Sequence, residues 1–146
     1  MQILYDYDTI PTKDELIASE VEQCGYAAVV RGSHNDFKKY CCVTLSALSE
    51  TEEFNRKFDP KHICYVDPEW YTQLIELSQK HERIVFLVED FDKISIEKQA
   101  SVFHCLAIDR YAFFDKIPDN CAVVFLWESD REIQISENFA GVAIIE

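Results

Sequence analysis

The chain has 146 residues, 48% hydrophobic and 13% aromatic, enough apolar material for one compact domain with its own core and too much for a disordered chain. Its formal net charge of -13 opposes binding to nucleic acid and to anionic membrane surfaces. No apolar run approaches the ~18 residues of a transmembrane helix, and the start, Met1-Gln-Ile-Leu-Tyr-Asp-Tyr-Asp8, lacks the basic-then-apolar pattern of a secretion signal, so a cytoplasmic protein is expected.

In chain order, residues 2–7 read as a short strand. Pro11-Thr-Lys-Asp-Glu15 opens a helix with acids in its first turn and Leu16, Ile17 and Val21 as apolar positions, ending at Gly25. Strands are expected at 26–31 and 40–45, a turn at 32–36, and a short polar helix from Ser49 to Glu53. A short strand at 62–66 precedes Pro68, and 68–80 reads as a helix with Trp70, Leu74 and Leu77 on one side. After a strand at 83–88, a helix runs from Ser95 to about Tyr111 with Val102, Phe103, Leu106 and Ile108 as its stripe. Lys116-Ile-Pro-Asp-Asn120 is a turn, and strands follow at 121–127 and 141–145.

The unbroken runs at 84–88 and 121–127 fit strands buried on both faces. Strands alternating with helices predict a single α/β domain over 1–146: a three-layer α/β/α sandwich around a mainly parallel sheet of five or slightly more strands. Six cysteines without a C-x-x-C pair read as reduced, buried thiols, and four scattered histidines show no zinc-ligand spacing.

Acids at the carboxyl end of a parallel strand lie where open α/β sheets bind ligands, which makes Glu89, Asp90 and Asp92 candidate metal ligands. The competing reading, favoured by the residues alone, is that they solvate a strand end and cap the next segment.

Ile84-Val-Phe-Leu-Val-Glu-Asp-Phe-Asp-Lys93 resembles the Walker B strand of AAA+ ATPases, in particular the MoxR-like branch. Gln99 to Arg110 resembles the helix that follows it, and Lys116-Ile-Pro-Asp-Asn120 the turn into the sensor 1 strand. Val43-Thr-Leu-Ser-Ala-Leu48 and Tyr65-Val-Asp-Pro-Glu-Trp70 resemble segments upstream of Walker B, and Ser129-Asp-Arg131 with Ser136-Glu-Asn-Phe139 the tail before the last core strand. The resemblance implies a P-loop NTPase fold, with Lys13 as the nucleotide-binding lysine and Glu89 and Asp90 as the magnesium and catalytic acids.

The departures from that pattern predict loss of the chemistry. Tyr7-Asp-Thr-Ile-Pro-Thr-Lys-Asp14, in the place of the phosphate loop, contains no glycine, although close backbone approach to phosphate requires it. Asp8 and Asp14 would oppose a triphosphate by on the order of a few kcal/mol. The Walker B acids are Glu89-Asp90 rather than Asp-Glu, Trp127-Glu128 stands at sensor 1, and Asn138 replaces the arginine finger. The sequence given ends at Glu146, before the family's helical lid, so the domain over 1–146 is expected to have no lid, either because the lid is absent or because the sequence stops short of it.

The expected function is therefore that of a degenerate AAA+-like pseudo-ATPase, without cofactor, acting on a protein partner such as another AAA+ ATPase. One alternative is a divergent active ATPase using Lys13, Glu89 and Asp90 with ATP and magnesium. Another is an acidic inhibitor that mimics nucleic acid.

Overall fold

The computed structural model describes residues 10–23, 27–49, 55–112, 114–135 and 142–146. The strand expected at 2–7, the polar helix at 49–53 except for its first residue, and Asn138 lie outside them. Helix α1 (Lys13–Gln23) precedes β1 (Ala27–Arg31), β2 (Cys42–Ser46), a hairpin of β3 (Lys57–Asp59) and β4 (Cys64–Val66), helix α2 (Glu69–Lys80), β5 (Ile84–Glu89), helix α3 (Ile96–Phe103), β6 (Cys121–Trp127) and β7 (Ala143–Ile145).

Five strands form a parallel sheet in the order β2-β5-β6-β1-β7, and β3 pairs with β4 in a separate antiparallel ribbon. The expected three-layer α/β sandwich is what forms. Alternation along each strand sorts side chains onto two faces. Ile84, Phe86 and Val88 of β5 and Val123, Phe125 and Trp127 of β6 face a core closed by Trp70, Tyr71 and Leu74 of α2 and by Val102 and Phe103 of α3. On the other face Val85, Leu87, Val124 and the small Ala28 and Ala122 lie under Ile17 and Val21 of α1. No helix among the described residues is long and apolar enough to cross a membrane.

Local signals explain the helix boundaries. Thr12 Oγ1 accepts from the Glu15 N–H at 3.2 Å, and Ser95 Oγ accepts from the Lys98 N–H at 3.2 Å, so each hydroxyl caps a helix start. Helix α2 ends where Asn120 Nδ2 donates to Ser78 O at 2.8 Å and to His81 O at 3.0 Å, capping two terminal carbonyls from 39 to 42 residues away.

Two expectations need correction, and one strand adds to what was expected. The helix expected from Ser95 to about Tyr111 is α-helical only to Phe103; residues 104–108 widen into a π turn, with Asp109 N–H bonded to His104 O at 2.9 Å, and Arg110 turns the chain at φ 57°. The strand at 64–66 has a partner, Lys57–Asp59, that the polar sequence there does not announce. The thiols are also less buried than expected: Cys121 is buried, Cys41, Cys42 and Cys105 are half-buried, and Cys64 is exposed.

Candidate functional site

In the sheet, β1 and β6 are neighbours whose following connections leave in opposite directions, β1 toward β2 and β6 toward β7. That makes their carboxyl ends the topological switch point, where open α/β sheets bind ligands. The ten residues 32–41 after β1 run under one face of the sheet to reach β2, past β6 and β5. They span about 15 Å laterally with only a 3₁₀ turn (His34–Phe37), anchored by the fully buried Phe37.

The start of this strap is closed by its own side chains. Asp36 Oδ2 accepts from the Ser33 N–H at 3.0 Å, and Ser33 Oγ accepts from the Asn35 N–H at 3.3 Å. Gly32 N–H donates to Trp127 O at 3.1 Å, joining the ends of β1 and β6. A β-carbon on residue 32 would lie 3.1 Å from both Asp36 Cγ and Lys13 Nζ, so the space a glycine leaves beside the backbone is already filled.

Lys13 is the first residue of α1, ahead of β1, and its ammonium reaches the same place. It donates to Arg31 O and lies 3.7 Å from Asp36 Oδ2. Arg31, at the end of β1, donates to Ser129 O and pairs with Glu146 at 3.3 Å. Both cations at the switch point are thus engaged by protein oxygens. Of the stretch 7–14, residues 7–9 lie outside the described residues and residues 10–14 lead into and open α1, whereas the connection that follows the central strand β1 is 32–41.

The three acids at the end of β5 and just after it go to three different environments. Glu89, the last strand residue, pairs with His34 of the strap. Burial pushes its carboxyl above the usual range; His34 opposes this, and the charges of Asp90 and Glu128 add to it. Asp90 turns the chain with φ 59°, a left-handed conformation that aspartate tolerates. Its carboxylate accepts from Ser46 Oγ at 2.6 Å and from Lys93 Nζ at 2.8 Å, and these bonds, Lys93 first, hold it below the usual range. Asp92 is buried, and its Oδ2 accepts from the Ser129 N–H at 2.9 Å. Among the described residues no three His, Cys, Asp or Glu side chains gather into a group that could hold a metal ion. Trp127 is a core residue whose indole N–H donates to Arg131 O at 3.1 Å.

A second surface lies at the β2 edge. Val85 N–H bonds Cys41 O and Ala47 N–H bonds Glu89 O, so the odd-numbered residues of β2 serve β5 and the backbone of Thr44 points to the outer edge. An open cleft of about 710 Å³ runs along it, lined in part by Thr44, Ser46, Val66, Pro68 and Trp70. Beside it the hairpin exposes Phe58, Ile63, Tyr65 and Val66, with Phe58 and Tyr65 in edge-to-face contact at 5.4 Å. Sequence reasoning missed this surface; the signal was Tyr65-Val66 just ahead of Pro68.

The chain matches no protein-family model and no curated protein.

Proposed function

We propose that this chain is a degenerate AAA+-like, P-loop NTPase-type domain that does not hydrolyse ATP and works by binding another protein, another AAA+ ATPase being the partner the resemblance implies. The observation that carries this reading is the closed switch point. Asp36 caps the strap after β1 and sits beside Lys13, so a phosphate arriving there meets a carboxylate instead of open backbone N–H groups. A parallel α/β sheet with acids at the end of a central strand is compatible with that ancestry. The exposed aromatic hairpin and the β2 edge, unpaired among the described residues, favour a protein as the ligand, since exposed apolar patches and open strand edges are common docking features.

Isothermal titration with Mg-ATP tests the reading. No binding heat is expected. Micromolar binding that disappears in Lys13→Ala would overturn it, and phosphate release lost in both Glu89→Ala and Asp90→Ala would install the active-ATPase alternative.

A further inference from the structure

Sheet edges are normally blunted by charged side chains, by proline, by bulges or by very short strands. Strand β7, at one edge, has three residues and runs into Glu146. Strand β2, at the other edge, has five residues and no such protection in its sequence. Residues 40–49 contain no charged side chain and no proline, in a chain that is 28% charged. No described residue pairs with this edge. Thr44 lies in the open cleft along it, with its backbone N–H and C=O turned outward.

The strand Cys42-Val-Thr-Leu-Ser46 is matched to its own reverse. Laid antiparallel against a copy and centred on Thr44, it sets Thr44 opposite the copy's Thr44, Val43 opposite its Leu45 and Cys42 opposite its Ser46. Aliphatic side chains then meet on one face and small polar ones on the other. Because the even-numbered residues turn outward, the central threonines form the pair that exchanges both backbone hydrogen bonds.

Helix α2 covers Val43 and Leu45, so the same twofold axis brings two α2 helices side by side and antiparallel. The flank of α2 that faces the cleft carries Glu69 and Gln73, and Glu76 and Lys80 continue it at helical spacing. All four are exposed. An antiparallel copy sets Glu69 beside the copy's Lys80, and Lys80 beside its Glu69. A net charge of -13 opposes association of copies in general, so a contact between them needs a surface that is locally uncharged or complementary. The β2 edge is the first and the α2 flank is the second.

We propose that two copies of this chain pair through β2, antiparallel across a twofold axis at Thr44, and so join their five-stranded sheets into one. The inference goes beyond the function proposed above and does not rest on it; it gives the edge to a copy and leaves the exposed hairpin to the partner.

Sedimentation equilibrium of the 146-residue chain tests the proposal, with a monomer–dimer equilibrium expected at micromolar concentration. Thr44→Pro removes the central outward N–H and is expected to abolish the dimer. Because proline also constrains the strand, Glu69→Lys on the exposed helix flank serves as the second variant. It is expected to weaken the dimer about tenfold, since the twofold axis doubles the change at each surface pair. Adding Lys80→Glu to it restores the pair with its signs exchanged and is expected to return the affinity to within about threefold of the parent. If the two charges serve only the dipole of their own helix, the double variant is instead no better than Glu69→Lys, and the proposal fails. A monomer at every concentration up to millimolar, or a dimer indifferent to both Thr44→Pro and Glu69→Lys, also overturns it. Mg-ATP binding would remove the proposed function and leave these results unchanged.

Discussion

The Asp36 carboxylate occupies the space beside Gly32: a β-carbon at residue 32 would come within 3.1 Å of Asp36 Cγ and closer still to Oδ2. The oxygen it would strike is the one that caps Ser33, so the side chain cannot swing away without losing that bond. Gly32→Ala is expected to destabilise the protein by about 1–2 kcal/mol, the cost of a lost cap plus local overpacking. A urea titration measures it. A stability equal to that of the parent would show that Asp36 yields freely.

Glu89 and Asp90 are adjacent, yet their contributions to stability have opposite signs with pH. Asp90 has a folded pKa below its ordinary 3.8, so its contribution is present above that value and is lost as pH falls through the lowered one. Glu89 has a folded pKa raised above 4.5, so the fold disfavours its charge, and its contribution declines as pH rises through the raised value. Glu89→Gln is expected to raise the melting temperature at neutral pH, with the gain fading on acidification. Asp90→Asn is expected to lower it at neutral pH and to flatten the acid limb. Thermal melts across the acidic range distinguish the two.

Asn120 joins the turn before β6 to the end of α2 through two side-chain donors. Asn120→Ala is expected to cost about 1–2 kcal/mol. Asn120→Asp is expected to cost more, because it sets a carboxylate against the carbonyls of Ser78 and His81. If aspartate proves the milder change by chemical denaturation, the carbonyl-capping account fails.

Burial, with the neighbouring Cys41 adding to it, pushes the Cys42 thiol up to about 11, and its sulfur lies 3.5 Å from Tyr40 O and 3.6 Å from Phe37 O. A thiolate there would face two carbonyl oxygens. Cys64 is exposed on the hairpin. Timed iodoacetamide labelling of the folded protein at mildly alkaline pH, read by mass spectrometry, should therefore modify Cys64 well before Cys42. Equal rates would contradict this burial.

Much of the fold is legible in the chain because its strongest signals are local. The apolar runs ending at Val88 and Trp127 are long and β-rich enough to mark central strands, and both are buried on two faces. The end of the Ser95 helix was harder to see. Leu106 continues the apolar stripe, and nothing local marks the switch at His104 to a π turn, which packs Leu106 and Ala107 into the core. The hairpin strand Lys57–Asp59 is polar and exposed, so it carries no periodicity to detect. At the candidate site, Lys13, Glu89 and Asp90 could be singled out by residue type, but their partners Arg31, Asp36, His34 and Ser46 could not.

The sequence by itself determined the layered α/β class, through hydrophobic runs whose lengths and periods leave few alternatives, and the acidic surface, through its charge. Strand order, and with it the place of β1 beside β6, came only from tertiary structure, since which strands pair depends on long-range packing. The same holds for the fate of the acids after β5. Asp90 and Asp92 are two residues apart, but the left-handed turn at Asp90 sends one to Ser46 and the other into the interior beside Ser129. Those partners lie 44 and 37 residues away, beyond the reach of any local pattern.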